Sequence, residues 1–204
     1  MAVHLVPTGR TALAAGLLMT AGVEGEWLLN PQRDDGTLTS VPLFAVLLLV
    51  SLAGFVLLVV AASGLRRAMV SRTRPARVGA AMTVAGAGLL ALFAAAVLVT
   101  GVVDGEPAGL AFVPFLLGML LLAVGPVTWG LSLRRRPPAP GVAPALVVSG
   151  VAAFAALALE PDPWHDLSLV VMFGAWSAIG LLVMRGPRGT GLPVRTADAA
   201  GRRH

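Results

Sequence analysis

Residues 41–67 read VPLFAVLLLVSLAGFVLLVVAASGLRR, and this stretch decides the fold. Its first 25 residues carry no charged side chain, and Arg66 and Arg67 follow at once. A helix needs roughly 20 mostly apolar residues to cross the hydrocarbon core of a bilayer. The stretch therefore predicts one membrane-spanning helix with a basic end.

Similar apolar runs fill most of the remaining chain. With the quoted stretch they are residues 11–29, 41–65, 78–103, 108–133, 142–159 and 167–184. Only helices and closed barrels satisfy the backbone in lipid, and continuous Leu, Ala and Val runs do not match alternating barrel strands. The sequence thus predicts an all-α, polytopic transmembrane bundle of six helices over residues 1–184. The short connections predict three consecutive hairpins, and residues 185–204 are expected to form a flexible cytoplasmic tail.

The composition excludes several classes of protein. The chain is 57% hydrophobic and 12% charged, whereas soluble domains have about 25% charged residues. It contains no Cys, Lys or Tyr, which excludes disulfides, thiolate metal sites and Lys Schiff bases. No cofactor is expected. The net charge is +5, but the arginines lie beside apolar runs, so we expect anionic lipid headgroups and not nucleic acid as their partners.

The charged residues are sorted by sign between the runs. Fourteen of the 15 basic residues, all Arg, lie in the N-terminal arm, alternate connections or the C-terminal tail. Nine of the 10 carboxylates lie in the other three connections. Arg33 and Asp198 are the exceptions. Because short loops rich in Lys and Arg stay in the cytoplasm, the sorting predicts that both termini are cytoplasmic.

The first run has a second interpretation. Arg10, the apolar residues up to Val23 and the small residues Ala21 and Gly22 also fit a signal peptide. Cleavage would leave five spans and an outer N-terminus. We prefer six spans, because the cleavage motif is poor and apolar residues resume over residues 27–29.

The hairpins carry traces of a weak internal repeat. Each odd run reaches an acidic-x-acidic triplet, at residues 24–26, 104–106 and 160–162, and each even run closes with Gly-Leu shortly before Arg. A duplicated hairpin would produce this pattern. Outer loops that favour acids and inner ends that favour Arg would produce most of it as well, and we prefer that explanation.

Glu24 and Glu26 are the sharpest candidates for a functional site. If the first run spans the membrane up to Leu29, Glu24 lies inside the outer hydrocarbon boundary, where an ionisable side chain is costly and marks a site by default. The two residues differ by about 200° of helical rotation, so only one faces the bundle. Alternatively, the helix ends at Val23 and both carboxylates lie in the interface.

A second candidate site lies in the third outer connection, where Glu160, Asp162, His165 and Asp166 surround Trp164. Carboxylates with an imidazole can bind a cation or shuttle protons. No recognised metal-ligand spacing is present, so whether this connection binds a metal is left open. An ordinary solvated loop with Trp164 as an interfacial anchor explains the same residues.

Small residues four apart predict close packing between helices. Ala12, Gly16 and Thr20 form one such series, and Gly174 and Ala178 form another. Backbones approach closely in membranes where side chains are small. Bulky substitution is therefore expected to destabilise the bundle at Gly16 and at Gly174.

The Ala/Gly/Leu/Val-rich runs, the exclusive use of Arg and the short Asn30-Pro31 connection after the first run resemble the small, uncharacterised six-span integral membrane proteins of high-GC bacteria. That resemblance implies a bacterial plasma-membrane location and no particular activity. Two functions stay open: a non-enzymatic accessory or structural membrane component, and a small-solute or cation transporter or channel that uses Glu24 or Glu26. A membrane-embedded enzyme ranks third, because neither a nucleophile–base pair nor a metal triad is evident.

Overall fold

The computed structural model describes residues 5–29, 40–69, 73–103, 112–134, 141–159 and 164–185. These residues form six α-helices: α1 (Leu5–Leu29), α2 (Val41–Ala68), α3 (Arg74–Val103), α4 (Phe112–Leu133), α5 (Val142–Ala158) and α6 (Trp164–Arg185). The predicted all-α bundle of six helices is confirmed. Residues 30–39, 104–111, 160–163 and 186–204, which include Glu160, Asp162 and most of the tail, lie outside the described residues.

Local sequence explains where the helices begin and end. Ser40 caps α2 by accepting a hydrogen bond from the Leu43 backbone N–H, and Pro42 occupies the first turn, where a missing N–H costs nothing. Gly141 precedes α5 with φ of 89°, a conformation that favours glycine. Several threonines within the helices donate to the carbonyl four residues back, as Thr83 does to Gly79 at 2.8 Å. Their hydroxyl groups therefore need no external partner.

The six helices are arranged in a closed ring. Each helix packs against its neighbours in the chain, and α6 also packs against α1. Phe55 of α2 and Phe173 of α6 meet edge to face, with the centroids of their aromatic rings 6.3 Å apart. Side chains therefore fill the space inside the ring of helices. The helices thus form one bundle and not three separate hairpins.

Glycines allow the closest approaches between neighbouring helices. A Cβ atom added at Gly125 would lie 2.7 Å from the Thr83 backbone nitrogen, and one at Gly150 would lie 2.6 Å from the Ala123 carbonyl oxygen. Real Cβ atoms essentially never come within 3.0 Å of such atoms. Small side chains therefore set the distance between α3 and α4 and between α4 and α5.

One of the two predicted close-packing sites is wrong. Gly16 lies against α6, and an added Cβ would be 2.5 Å from the Phe173 carbonyl oxygen. Gly174 is exposed, and nothing lies within 4 Å of an added Cβ. The spacing to Ala178 was a weak guide, because such pairs occur often by chance in a chain so rich in Ala and Gly.

The glycine of the first Gly-Leu motif makes a different contact from the glycines of the other two. Gly64 of α2 faces Thr8 of the preceding helix, whereas Gly130 of α4 faces Ala143 of the following helix. Gly180 of α6 faces Gly9 of α1, the next helix around the ring. These contacts give no support to a duplicated hairpin and agree with the simpler explanation of the motif.

The outer surface of the bundle is apolar. Exposed large hydrophobic side chains occur on every helix, including Leu17, Val60, Leu92, Leu120, Phe154 and Val171. Water-soluble monomers rarely expose continuous apolar surface on this scale. Four helices, α2, α3, α4 and α6, have the length and apolarity to cross a membrane. The chain is therefore a membrane protein.

The other two predicted spans differ from these four. α5 has 17 residues, which gives about 25 Å of helix against a hydrocarbon core of about 30 Å. α1 has 25 residues but carries Arg10, Glu24 and Glu26, and these lower its hydropathy. Both helices stand in the ring between two of these four: α1 between α2 and α6, and α5 between α4 and α6.

Candidate functional site

The register between α1 and α6 determines what surrounds Glu24. The two helices run antiparallel: Gly9 faces the Gly180 carbonyl oxygen, and Gly16, two turns later, faces that of Phe173. Two further turns bring Val23 opposite Asp166. The glycine contacts therefore place the end of α1 that carries Glu24 beside the first turn of α6.

α1 continues as a helix through Leu29, so it does not end at Val23. Glu24 lies in its sixth turn and is partly buried. Its Oε1 atom is buried and has no hydrogen-bond partner among the described residues. The side chain of Glu26 lies outside the described part of the structure, so only Glu24 can be placed.

Glu24 lies within electrostatic range of Asp166 and His165. The three side chains are two carboxylates and one imidazole. Asp166 lies in the first turn of α6, where the unpaired backbone N–H groups stabilise a negative charge. We call these three residues the Glu24–His165–Asp166 cluster.

His165 joins the cluster to a third helix. Its Nδ1 atom lies 2.7 Å from the carbonyl oxygen of Ala156, in the last turn of α5. A carbonyl oxygen only accepts hydrogen bonds, so Nδ1 is the donor and carries the proton. This carbonyl is among the last four of α5, which have no partner within their own helix. His165 therefore caps α5.

No metal centre is formed by the described residues. Among them, no group of three or more His, Asp or Glu side chains could hold a metal ion. The cluster contains only one described carboxylate on each of two helices, with the His165 Nδ1 already engaged. Glu160 and Asp162, the other candidates of this connection, lie outside the described residues.

No protein-family model matches the chain, and no curated protein and no solved structure is detectably similar to it. The candidate site therefore rests on its own geometry.

The interior of the bundle beyond the cluster is apolar. Its largest fully buried side chains come from all six helices and include Met19, Leu58, Leu90, Trp129, Leu146 and Trp176. The buried polar residues of the described helices are Ser51, Thr83, Ser149 and Ser168. None of these four ionises, so the described core offers no charged relay from one end to the other.

Two features of the structure, one of them in the site, were missed from the sequence. The capping of α5 by His165 joins residues whose separation in the chain gives no signal before the fold is known. Trp176 is 1% exposed, and its Nε1 has no hydrogen-bond partner among the described residues. Its place in an ordinary apolar run gave no indication that it is buried, whereas Trp164, predicted as an interfacial anchor, is 60% exposed.

Proposed function

We propose that this chain is a six-span, non-enzymatic accessory component of the bacterial plasma membrane with both termini in the cytoplasm. The observation that carries the proposal is the core: large apolar side chains from all six helices close it, and the described carboxylates lie at one end. A transporter usually needs polar groups along its path. The described helices α2 to α5 contain no ionisable residue between their ends.

The positions of α1 and α5 in the ring of helices support the proposal that both cross the membrane. α1 contacts its neighbours over most of its length, from Gly9 against α6 to Gly25 against Leu47 of α2. α5 contacts α4 from Ala143 to Gly150 and meets α6 at Ala156. A helix held along its length beside spanning helices lies at their depth. Tilting or local thinning of the bilayer accommodates the shorter α5.

Orientation is tested by labelling single cysteines. The chain has no Cys, so Asp34→Cys and Arg72→Cys each supply one reactive thiol, and each serves as the control for the other. In intact cells an impermeant maleimide is expected to label Asp34→Cys, whereas Arg72→Cys reacts only after the membrane is opened. The reverse result contradicts the proposed orientation.

Cation or proton transport is the second candidate, and one observation favours it: Glu24 lies inside a helix beside His165 and Asp166. Purified protein in liposomes loaded with a pH-sensitive dye tests this function. We expect proton flux equal to that of empty liposomes. Flux well above that level, abolished by Glu24→Gln, would replace the accessory role with transport.

A further inference from the structure

Seven described arginines lie at one end of the bundle. The contacts of Thr8 with Gly64 and of Gly9 with Met184 bring the start of α1, the end of α2 and the end of α6 together. Gly79 lies against Trp129, which adds the start of α3 and the end of α4. The arginines at this end are Arg10, Arg66, Arg67, Arg74, Arg77, Arg134 and Arg185. The described carboxylates, Glu24 and Asp166, belong to the opposite end.

Four of these arginines belong to one helix pair. Arg66 and Arg67 occupy the last turn of α2, and Arg74 and Arg77 occupy the first turn of α3. All four are exposed, and we call them the α2–α3 arginine cluster. The first turn of α3 has no acidic residue. Four like charges therefore lie close together without a described carboxylate at this end of the bundle to compensate them.

The cluster lies directly beside lipid-facing apolar surface. On α2, Val60 is 53% exposed and lies two turns before Arg67 on the same face. On α3, Val78 is 54% exposed and lies one turn after Arg74 on the same face. A partner that contacts both the guanidinium groups and these valines must join an anionic group to hydrocarbon. A free anion or a nucleic acid has only the first of these properties.

We propose that the α2–α3 arginine cluster binds the phosphodiester headgroups of anionic phospholipids in the leaflet that it faces, with their acyl chains on the exposed surfaces of α2 and α3. Arginine suits this role, because its planar guanidinium donates paired hydrogen bonds to phosphate oxygens. The inference requires a membrane-embedded bundle but does not depend on which leaflet is cytoplasmic.

The test is lipid binding by the full-length protein in detergent, measured by native mass spectrometry with phosphatidylglycerol and phosphatidylcholine. We expect preferential binding of phosphatidylglycerol. Arg67→Gln/Arg74→Gln should lower that affinity about 30-fold, since each basic residue near an anionic surface contributes about 1 kcal/mol and 1.4 kcal/mol is tenfold. Arg134→Gln/Arg185→Gln removes the same charge at the same end and should lower it much less.

Two further measurements distinguish phospholipid binding from binding of free phosphate and from binding without charge preference. Millimolar inorganic phosphate should not compete with phosphatidylglycerol, because it lacks the acyl chains; full competition would show a free-phosphate site and overturn the lipid assignment. Raising the salt concentration should weaken binding of phosphatidylglycerol but not of phosphatidylcholine, which tests the wild-type chain even if a variant does not fold. Equal binding of the two lipids, or equal loss in both double variants, also overturns the proposal.

Discussion

At the scale of single residues, Glu24 of α1 lies in an unfavourable environment. Its Oε1 is buried and has no hydrogen bond to any described residue, and Asp166 of the same charge lies within electrostatic range. Glu24→Gln keeps the shape and removes the charge, so we expect the free energy of unfolding in detergent to rise by up to about 1 kcal/mol, because repulsion between partly exposed charges is screened by solvent. Thermal unfolding of the purified variant measures this change.

The control is Glu24→Gln made in an Asp166→Asn background. There the increase in the free energy of unfolding should be smaller, because the repulsion between Glu24 and Asp166 has already been removed. A lower unfolding temperature for Glu24→Gln would show that the carboxylate has a stabilising partner. Residues that are retained although their replacement stabilises the fold are typically kept for function.

His165 allows a second prediction at this scale. Its hydrogen bond to Ala156 links α6 to α5, and both the neutral Nδ1–H form and the imidazolium can donate it. His165→Ala should therefore lower the free energy of unfolding by about 1 kcal/mol. His165→Asn, whose amide can donate in place of Nδ1, should recover most of the loss. Equal stability of the Ala variant and the wild type would contradict a structural role for this bond.

At the scale of elements, two glycines provide a matched pair. Gly16 lies against the α6 backbone, whereas Gly174 faces open space. Gly16→Ala should destabilise the protein by about 1–3 kcal/mol through overpacking. Gly174→Ala should instead stabilise it by up to about 1 kcal/mol, because Ala favours helix over Gly. Unfolding in detergent measures both, and loss of stability at Gly174 would indicate a contact made outside the single chain.

The sequence predicted the elements better than their contacts. Apolar runs such as residues 41–65 indicate a helix through length and hydropathy alone, and α2 matches closely. The extension of α1 through Glu24 depends instead on tertiary support, because Gly22 and Gly25 pack against α2 over these turns. Small-residue spacing could not separate Gly16 from Gly174, since both lie on helices and only the partner helix distinguishes them.

At the scale of the whole molecule, α1 completes the ring. Gly22 packs against Ser51 of α2, and Gly16 packs against Ser177 of α6. A chain without residues 1–29 should therefore lose the folded bundle, which size-exclusion chromatography and thermal unfolding would detect. A chain without residues 189–204 is the control, because it keeps every described residue. A stable, monodisperse protein without α1 would instead favour the signal-peptide interpretation.

The Glu24–His165–Asp166 cluster shows how far whole-molecule features follow from sequence. Charge sorting predicts that residues 24 and 165 belong to the same end of the bundle, which makes His165 a candidate partner of Glu24. It does not give the order of helices around the ring, because the order depends on how the helix faces fit together. The contact between the first and last helices supplies the missing information.

The contact between α1 and α6 also forms late in the synthesis of the bundle. α1 leaves the ribosome well before α6, whose surface covers Gly9 and Gly16. At about 5–20 residues synthesised per second, on the order of ten seconds pass between the synthesis of α1 and that of α6. During this time no helix packs against the α6-facing flank of α1. During translation, lipid or another membrane protein must cover that flank until α6 arrives and displaces it.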